Sequence, residues 1–322
     1  MNLVWEDIST TTSSVPIRVM LAREKVPWFY EIADALVDAL CARGERAALV
    51  VDDVLSLEAR WRDSRFSLGR WVVFTPELFR SMPCTGAMAF NMEQLDARGS
   101  HIEALPALNN LAEVCRGADG IWDYSLRNAS FWASHKLNFA HVPLGYMPRM
   151  QYPPGLPGDA DKCMFLGNVY GRRKQLVDEL RHILGSRFAV VGDAFCHGDA
   201  RQVGHRPMSN YKLAALGKAR VVVNIKPVEP MRTCLETPRL WWCAANRIPV
   251  VSELDGDAEA RRPFEEAGAA VFVPAEKLID EVLRLMNEPV ELLFARATAA
   301  LAHLRAHHSF CGKLDGGLSL FV

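Results

Sequence analysis

In Cys163–Lys174, CMFLGNVYGRRK, an apolar run meets a turn holding Gly167 and Gly171 and then three consecutive cations. Cys163 to Leu166 has the length and content of a buried strand, and Arg173 to Ile183 continues with the spacing of a helix. Strand, turn and helix in that order form the repeating unit of a parallel α/β sheet. Free backbone N–H groups and the positive end of the helix dipole suit an anion at such a turn. Arg172, Arg173 and Lys174 sit where that dipole repels cations, so the run predicts a visiting anion; a solvated basic patch is the plainer alternative. The turn is no P-loop, because the Walker spacing and its Lys-Ser/Thr end are missing. It is no dinucleotide fingerprint either, because the first two glycines are too far apart.

Downstream the same alternation continues. Strands are expected at Phe188–Val191, Val221–Ile225, Val250–Val251 and Val271–Val273. Between and after them come helices at Tyr211–Leu216, Pro238–Ala245, Pro263–Ala267, Ala275–Asn287 and Glu291–His307. Upstream, strands are expected at Ile17–Ala22, Ala47–Val51, Trp71–Phe74, Ala87–Phe90 and Gly120–Trp122, with a helix at Tyr30–Arg43 stopped by Gly44. The densest Pro/Gly stretch, from Pro143 to Pro157, separates the two series, and no helix runs through it. The fold class is therefore α/β, with two Rossmann-like doubly wound domains facing each other across a cleft. The expected divisions are a tail at 1–14, a first domain at 15–146, a linker at 147–160, a second domain at 161–308 and a terminal segment at 309–322 that returns to the first domain.

Ligands bind at the carboxyl ends of strands in open α/β sheets, and two further stretches place polar side chains there. In Leu235-Glu-Thr-Pro-Arg239, Thr237 reads as an N-cap and Pro238 as the first helical residue. Glu236 then stands just before a helix, where it can accept both hydroxyls of a ribose, and Arg239 can meet phosphate. Alternatively Glu236 caps the helix and Arg239 pairs with it. Glu229 reads as plain loop. In Ala89-Phe-Asn-Met-Glu-Gln94, Glu93 is placed either to act as general base toward an acceptor hydroxyl or to cap a following helix. His101 is a weaker base candidate. Asp52-Asp53 reads as a turn and cap, and no metal site is expected.

The 37 basic and 38 acidic side chains give a net charge of −1 over 322 residues, so no broad field favours nucleic acid. The eight cysteines are scattered without a C-x-x-C pair and read as reduced, mostly buried thiols. No run approaches the roughly 18 apolar residues of a membrane span. Glu6 and Asp7 with the polar Ser9–Ser14 argue against a signal peptide, so a cytoplasmic protein without a transmembrane segment is expected. Trp241-Trp242 reads as core packing inside an amphipathic helix.

Several of these strings together resemble the GT-B glycosyltransferases of the group 1 family, especially those acting in bacterial surface-polysaccharide and related glycan pathways. The resemblance is carried by Asn91-Met-Glu-Gln-Leu95, Ile121-Trp-Asp-Tyr-Ser125 with Asn128, Val142-Pro-Leu-Gly-Tyr146, Phe165-Leu-Gly167 with Tyr170 and Arg172-Arg173, Asn224-Ile225, Leu235-Glu-Thr237 with Arg239, and Val250-Val-Ser-Glu253. It spans roughly residues 85 to 255. It implies a nucleotide-sugar donor in the C-terminal domain and a glycan, lipid-linked, protein or small-molecule acceptor at the N-terminal one. Donor contacts are expected from Gly167, Asn168, Tyr170, Arg172 and Arg173, and from Asn224, Lys226, Glu236, Thr237 and Arg239. Catalytic roles fall to Arg173 and, in an inverting reaction, Glu93. The reaction needs neither metal nor cofactor, because protein cations stabilise the leaving diphosphate. The sequence departs from the family in two ways. Glu229 and Glu236 have six residues between them rather than seven, and Lys226 stands where relatives often carry His. A nucleotide-sugar epimerase, a non-catalytic binding protein of the same fold and a nicotinamide dehydrogenase are the alternatives, the last disfavoured by the absent glycine fingerprint.

Overall fold

A computed structural model of the chain describes residues 17–23, 26–62, 70–74, 76, 79, 87–92, 95, 111–152, 160–192, 201–203, 206–208, 210–227 and 235–320. The N-terminal half comprises β1 (Ile17–Ala22), α1 (Val26–Ala42), β2 (Ala47–Asp52), α2 (Val54–Arg62), β3 (Arg70–Phe74) and β4 (Ala87–Asn91). It continues through α3 (Leu111–Cys115), β5 (Gly120–Asp123), α4 (Ala129–Ser134) and β6 (Phe139–His141). Its six strands form one sheet in the order β2-β1-β3-β4-β5-β6, every pairing parallel. Central strands such as Ala87–Asn91 are buried at every position, which is why they read as continuous apolar runs rather than alternating ones.

The C-terminal half comprises β7 (Lys162–Leu166), α5 (Arg172–Leu184), β8 (Phe188–Val191), the short antiparallel pair β9 (Arg201–Val203) and β10 (Arg206–Met208), α6 (Asn210–Lys218) and β11 (Ala219–Asn224). It ends with α7 (Thr237–Ala245), β12 (Val250–Glu253), α8 (Ala258–Ala267), β13 (Ala270–Val273), α9 (Leu278–Asn287) and α10 (Val290–His307). The second sheet is parallel, in the order β13-β12-β11-β7-β8. From β7 the chain runs outward to β8 on one side and through β11, β12 and β13 on the other. The direction of winding therefore reverses between β7 and β11, and the crevice beyond their carboxyl ends is the switch point where ligands bind in such sheets.

Several elements differ from the sequence expectation. Strand β6 was not anticipated: it is only three residues long, and the half-buried Phe-Ala-His makes no apolar run. Helices α2, α3 and α4 were also not anticipated, and α3 and α4 are only five and six residues long. Helix α8 starts at Ala258 rather than Pro263, because Asp257 caps it by accepting from the backbone N–H of Ala260 and the turn ahead of Pro263 is already helical. Within the expected linker, residues 147–152 are docked, with Met147, Met150 and Tyr152 buried; residues 153–159 lie outside the described residues.

The two halves share one apolar core. It runs from Phe29, Ile32 and Leu36 of α1 to Leu235, Trp241 and Trp242 at α7. A buried ion pair crosses the same boundary, Lys212 Nζ donating to Glu31 at 2.6 Å, and Tyr152 Oη donates to the other Glu31 oxygen at 3.0 Å. After α10 the chain leaves the second sheet and lies on the first. Tyr146 N donates to His308 O (2.7 Å), Phe310 N to Tyr146 O (3.0 Å), and Trp122 Nε1 to Gly317 O (2.9 Å). A Cβ at Gly145 would stand 2.7 Å from both His308 O and Phe310 N, so this crossing needs a residue without a side chain there.

Candidate functional site

Gly167 follows β7 directly with φ +139°, a conformation open to glycine, and a Cβ there would meet Arg239 Nη2 at 3.4 Å. Gly171, at φ +53°, is the N-cap residue of α5 and supplies no capping side chain. The helix then presents Arg172 and Arg173 to the switch point. Arg172 donates to both oxygens of Glu253 at the end of β12, one at 2.8 Å, and to Lys226 O at 3.3 Å. Arg173, only 5% exposed, donates to Ile225 O (2.8 Å), Asn168 O (3.3 Å) and Glu236 Oε1 (2.9 Å), with its guanidinium between the rings of Phe165 and Tyr170. Lys174 turns away and pairs with Asp178 on the surface.

The carboxyl end of β11 completes the cluster. Asn224 accepts from Arg239 Nη1 at 2.6 Å and donates to Ser252 Oγ at 3.0 Å. Lys226 is fully buried, its N–H donating to Glu253 Oε2 at 2.6 Å. Its Nζ lies 3.2 Å from Asp255 Oδ2, an ion pair without hydrogen-bond alignment. Arg239 also pairs with Glu236. Of the residues expected at the donor site, the structure thus brings Gly167, Asn168, Tyr170, Arg172, Arg173, Asn224, Lys226, Glu236 and Arg239 to one place. Thr237 stands beside them with its Oγ1 buried and unpartnered among the described residues.

Two expectations are corrected. The cation run at the start of α5 does not await an anion for compensation: Glu253 and Glu236 already neutralise Arg172 and Arg173, and Asp178 neutralises Lys174. The partners lie 63 and 81 positions away, where only the sheet order brings them close. The N-cap of α7 is Glu236 rather than Thr237, and Thr237 and Pro238 are its first two residues. The Glu236 side chain caps nothing because both of its oxygens are held by arginines. Around the crevice, Arg172, Arg173, Lys226 and Arg239 face Glu236, Glu253 and Asp255, and Asp255 is shared with Arg261.

The N-terminal half meets this edge with the ends of β4, β5 and β6. Asp123 is buried there, accepting from Asn91 Nδ2 (2.7 Å), Asn128 Nδ2 (3.0 Å), Trp132 Nε1 (2.7 Å) and Ser125 N (2.9 Å). Burial pushes its carboxyl up to about 7, against the pull of those donors. Ser125 Oγ crosses the cleft to Asp257 at 2.9 Å. A cavity of about 130 Å³ opens between the halves, with Tyr124, His141, Thr237, Trp241, Asp257 and Glu259 in its wall. Glu93 and His101 lie outside the described residues, but Asn91 and Met92 before Glu93 and Leu95 after it are buried.

This architecture recurs in solved structures. An α-glucosyltransferase in complex with UDP and a 13-mer DNA containing an HMU base matches with TM-score 0.60 and 9% identity, over 96% of this chain and 100% of that one. Sucrose-phosphate synthase from Thermosynechococcus elongatus matches with TM-score 0.57 and 12% identity, over 96% and 98%. WaaG, a glycosyltransferase involved in lipopolysaccharide biosynthesis, matches with TM-score 0.56 and 12% identity, over 90% and 95%. The chain has the GT-B fold. No family model matches it, and no curated protein matches it in sequence. No helix among the described residues is long and apolar enough to cross a membrane.

Within this GT-B fold, sequence reasoning missed Asp123, Asp255 and Asp257. An aspartate at a strand end reads as a turn, and nothing local separates a buried acceptor from a cap. Glu236 has a measurable signature. Burial alone would raise its carboxyl, but Arg239, Arg173 and Lys226 bring it down from 4.5 to about 2. The folded value lies below the unfolded one, so the group adds stability above about pH 4.5 that is lost as pH falls toward 2. The shift corresponds to about 3 kcal/mol. Urea midpoints should drop over this window in the parent protein, with a smaller drop in Glu236→Gln; equal slopes would place the charge outside the arginine pair.

Proposed function

We propose that this chain is a glycosyltransferase that moves a sugar from a nucleotide-activated donor to an acceptor hydroxyl. The observation that carries the reading is the cluster of Arg172, Arg173, Lys226 and Arg239 at the β7/β11 switch point. When the anomeric C–O bond breaks, the departing nucleoside diphosphate takes the bonding electrons and gains negative charge. Preorganised guanidinium and ammonium groups stabilise that charge more in the transition state than in the bound donor, which speeds the step. Arg172, the most exposed of the paired cations, is suited to exchange a Glu253 contact for phosphate. Glu236 and Thr237 border the place of the ribose. The acceptor oxygen bonds to the anomeric carbon as its proton leaves, and Glu93 is the proposed base if the configuration inverts. With protein cations in this role, the donor step runs without a metal or cofactor. The acceptor, a glycan, lipid-linked, protein or small-molecule hydroxyl, enters from the N-terminal side, past the cavity lined by Tyr124 and His141. Cys41, Cys163, Cys243 and Cys311, which form no disulfide, suit a reducing, cytoplasmic setting.

The test is a thermal-shift and calorimetric panel of UDP, GDP, CMP, dTDP and NAD, with and without EDTA, on the parent chain and Arg172→Lys. One nucleoside diphosphate at 100 times its Kd should add about 2.7 kcal/mol of apparent stability, regardless of EDTA. Arg172→Lys keeps the charge but loses the two-pronged contact, so it should weaken that binding roughly tenfold while staying folded. A folded protein that binds none of the five overturns the reading.

A further inference from the structure

Helix α10 ends in a histidine-rich stretch, with His303 one turn before His307 and His308 immediately after. This end packs on α8, whose last turn carries Glu266. One ligand atom from each of Glu266, His303 and His308 lies within 4.8 Å of the other two. His308 Nε2 and Glu266 Oε2 are 3.5 Å apart, and Nε2 is buried with no hydrogen-bond partner among the described residues. Glu266 Oε2 is near enough to pair with the ring but does not hydrogen-bond it, so the buried nitrogen has given up its bond to water without replacing it, a deficit that a bound cation would remove.

Zinc–nitrogen and zinc–oxygen bonds of about 2.0–2.2 Å put two ligands on a tetrahedral edge about 3.4 Å apart. The His308–Glu266 spacing already matches. His303, which is part-exposed, offers a ring nitrogen within 4.8 Å of both. We infer that Glu266, His303 and His308 bind a divalent transition-metal ion of the zinc type, with solvent in the fourth position. Two imidazoles and one carboxylate favour such an ion over magnesium or calcium, which take oxygen ligands. The site shares no residue with the cation cluster, although His308 also borders the cavity between the halves. Its place gives it a role. His308 O receives Tyr146 N at the point where the chain crosses from the second sheet to the first. An ion there ties the end of α10 to α8 and fixes the crossing between the two halves.

The full chain, stripped with a chelator and dialysed, is titrated with zinc by calorimetry and with cobalt by visible absorption. One zinc per chain is expected, with a cobalt spectrum of tetrahedral intensity and no competition from magnesium. Glu266→Gln and His303→Ala, both at part-exposed positions, should each weaken binding by about tenfold or more while the urea midpoint of the metal-free form holds. No zinc bound by the parent, or parent-like affinity in both variants, overturns the inference. So does binding that His307→Ala abolishes and Glu266→Gln leaves intact, because the ion would then sit on the surface pair His303 and His307.

Discussion

Arg173→Met is expected to destabilise the C-terminal half by about 3–5 kcal/mol, the scale of breaking a buried ion pair by removing one partner. The guanidinium is 5% exposed and makes three separate contacts. Without it, Ile225 O and Asn168 O lose a donor and Glu236 keeps Arg239 alone. Methionine fills the volume between Phe165 and Tyr170, so the loss reports charge and hydrogen bonds rather than a cavity. Urea unfolding of parent and variant at pH 7 measures it. A loss under 1 kcal/mol would mean that Arg173 is held in place by the helix rather than holding the crevice together. The same contacts assign the two arginines different work. Arg173 ties three segments of the second sheet to each other, whereas Arg172, paired with Glu253, keeps 29% of its side chain open to solvent on the side a ligand would approach. Loss of nucleotide binding in an Arg173 variant would confound folding with recognition, and Arg172→Lys avoids that.

The strands that frame the crevice were legible in the sequence for a physical reason. Cys163–Leu166 and Val221–Val223 are covered on both faces, so every position is apolar and the run stands out between glycine and polar punctuation. The cations were legible too, because Arg172 and Arg173 are adjacent in the chain. Their compensation was not. Glu253 reaches Arg172 only because β12 lies beside β11 and β11 beside β7, and no local pattern encodes that order. The cation run therefore reads as a frustrated helix start when the fold has already satisfied it. Strand β6 escaped for the opposite reason: as an edge strand of three half-buried residues it is too short to stand out as an apolar run. His303 and His308 read as an ordinary basic helix end until α8 brings Glu266 against them.

Asp123→Ala is expected to cost about 3–5 kcal/mol at pH 5 and to lower turnover while leaving donor binding unchanged. Four N–H donors converge on this carboxyl, from Asn91, Asn128, Trp132 and the backbone of Ser125. Alanine leaves all four buried and unsatisfied, at roughly 1–3 kcal/mol each before the site relaxes. The pH dependence has a definite sign. The folded value, about 7, lies above the unfolded 3.8, so the native state holds more protons between them and the parent loses stability as pH rises through that window. The alanine variant has no such slope, and the difference between the two should shrink from pH 5 to pH 8; a gap that stays constant instead would mean the carboxyl is ionised throughout. The effect on turnover follows from what the network fixes. Asn91 donates to Asp123, and Asn128, held by Asp123, accepts from the Leu95 N–H at 2.9 Å. Those two anchors bracket Glu93, the proposed base, while the cation cluster belongs to the other sheet. Loosening the bracket should therefore lower kcat and spare nucleotide affinity, and equal losses in both would make Asp123 a purely structural residue.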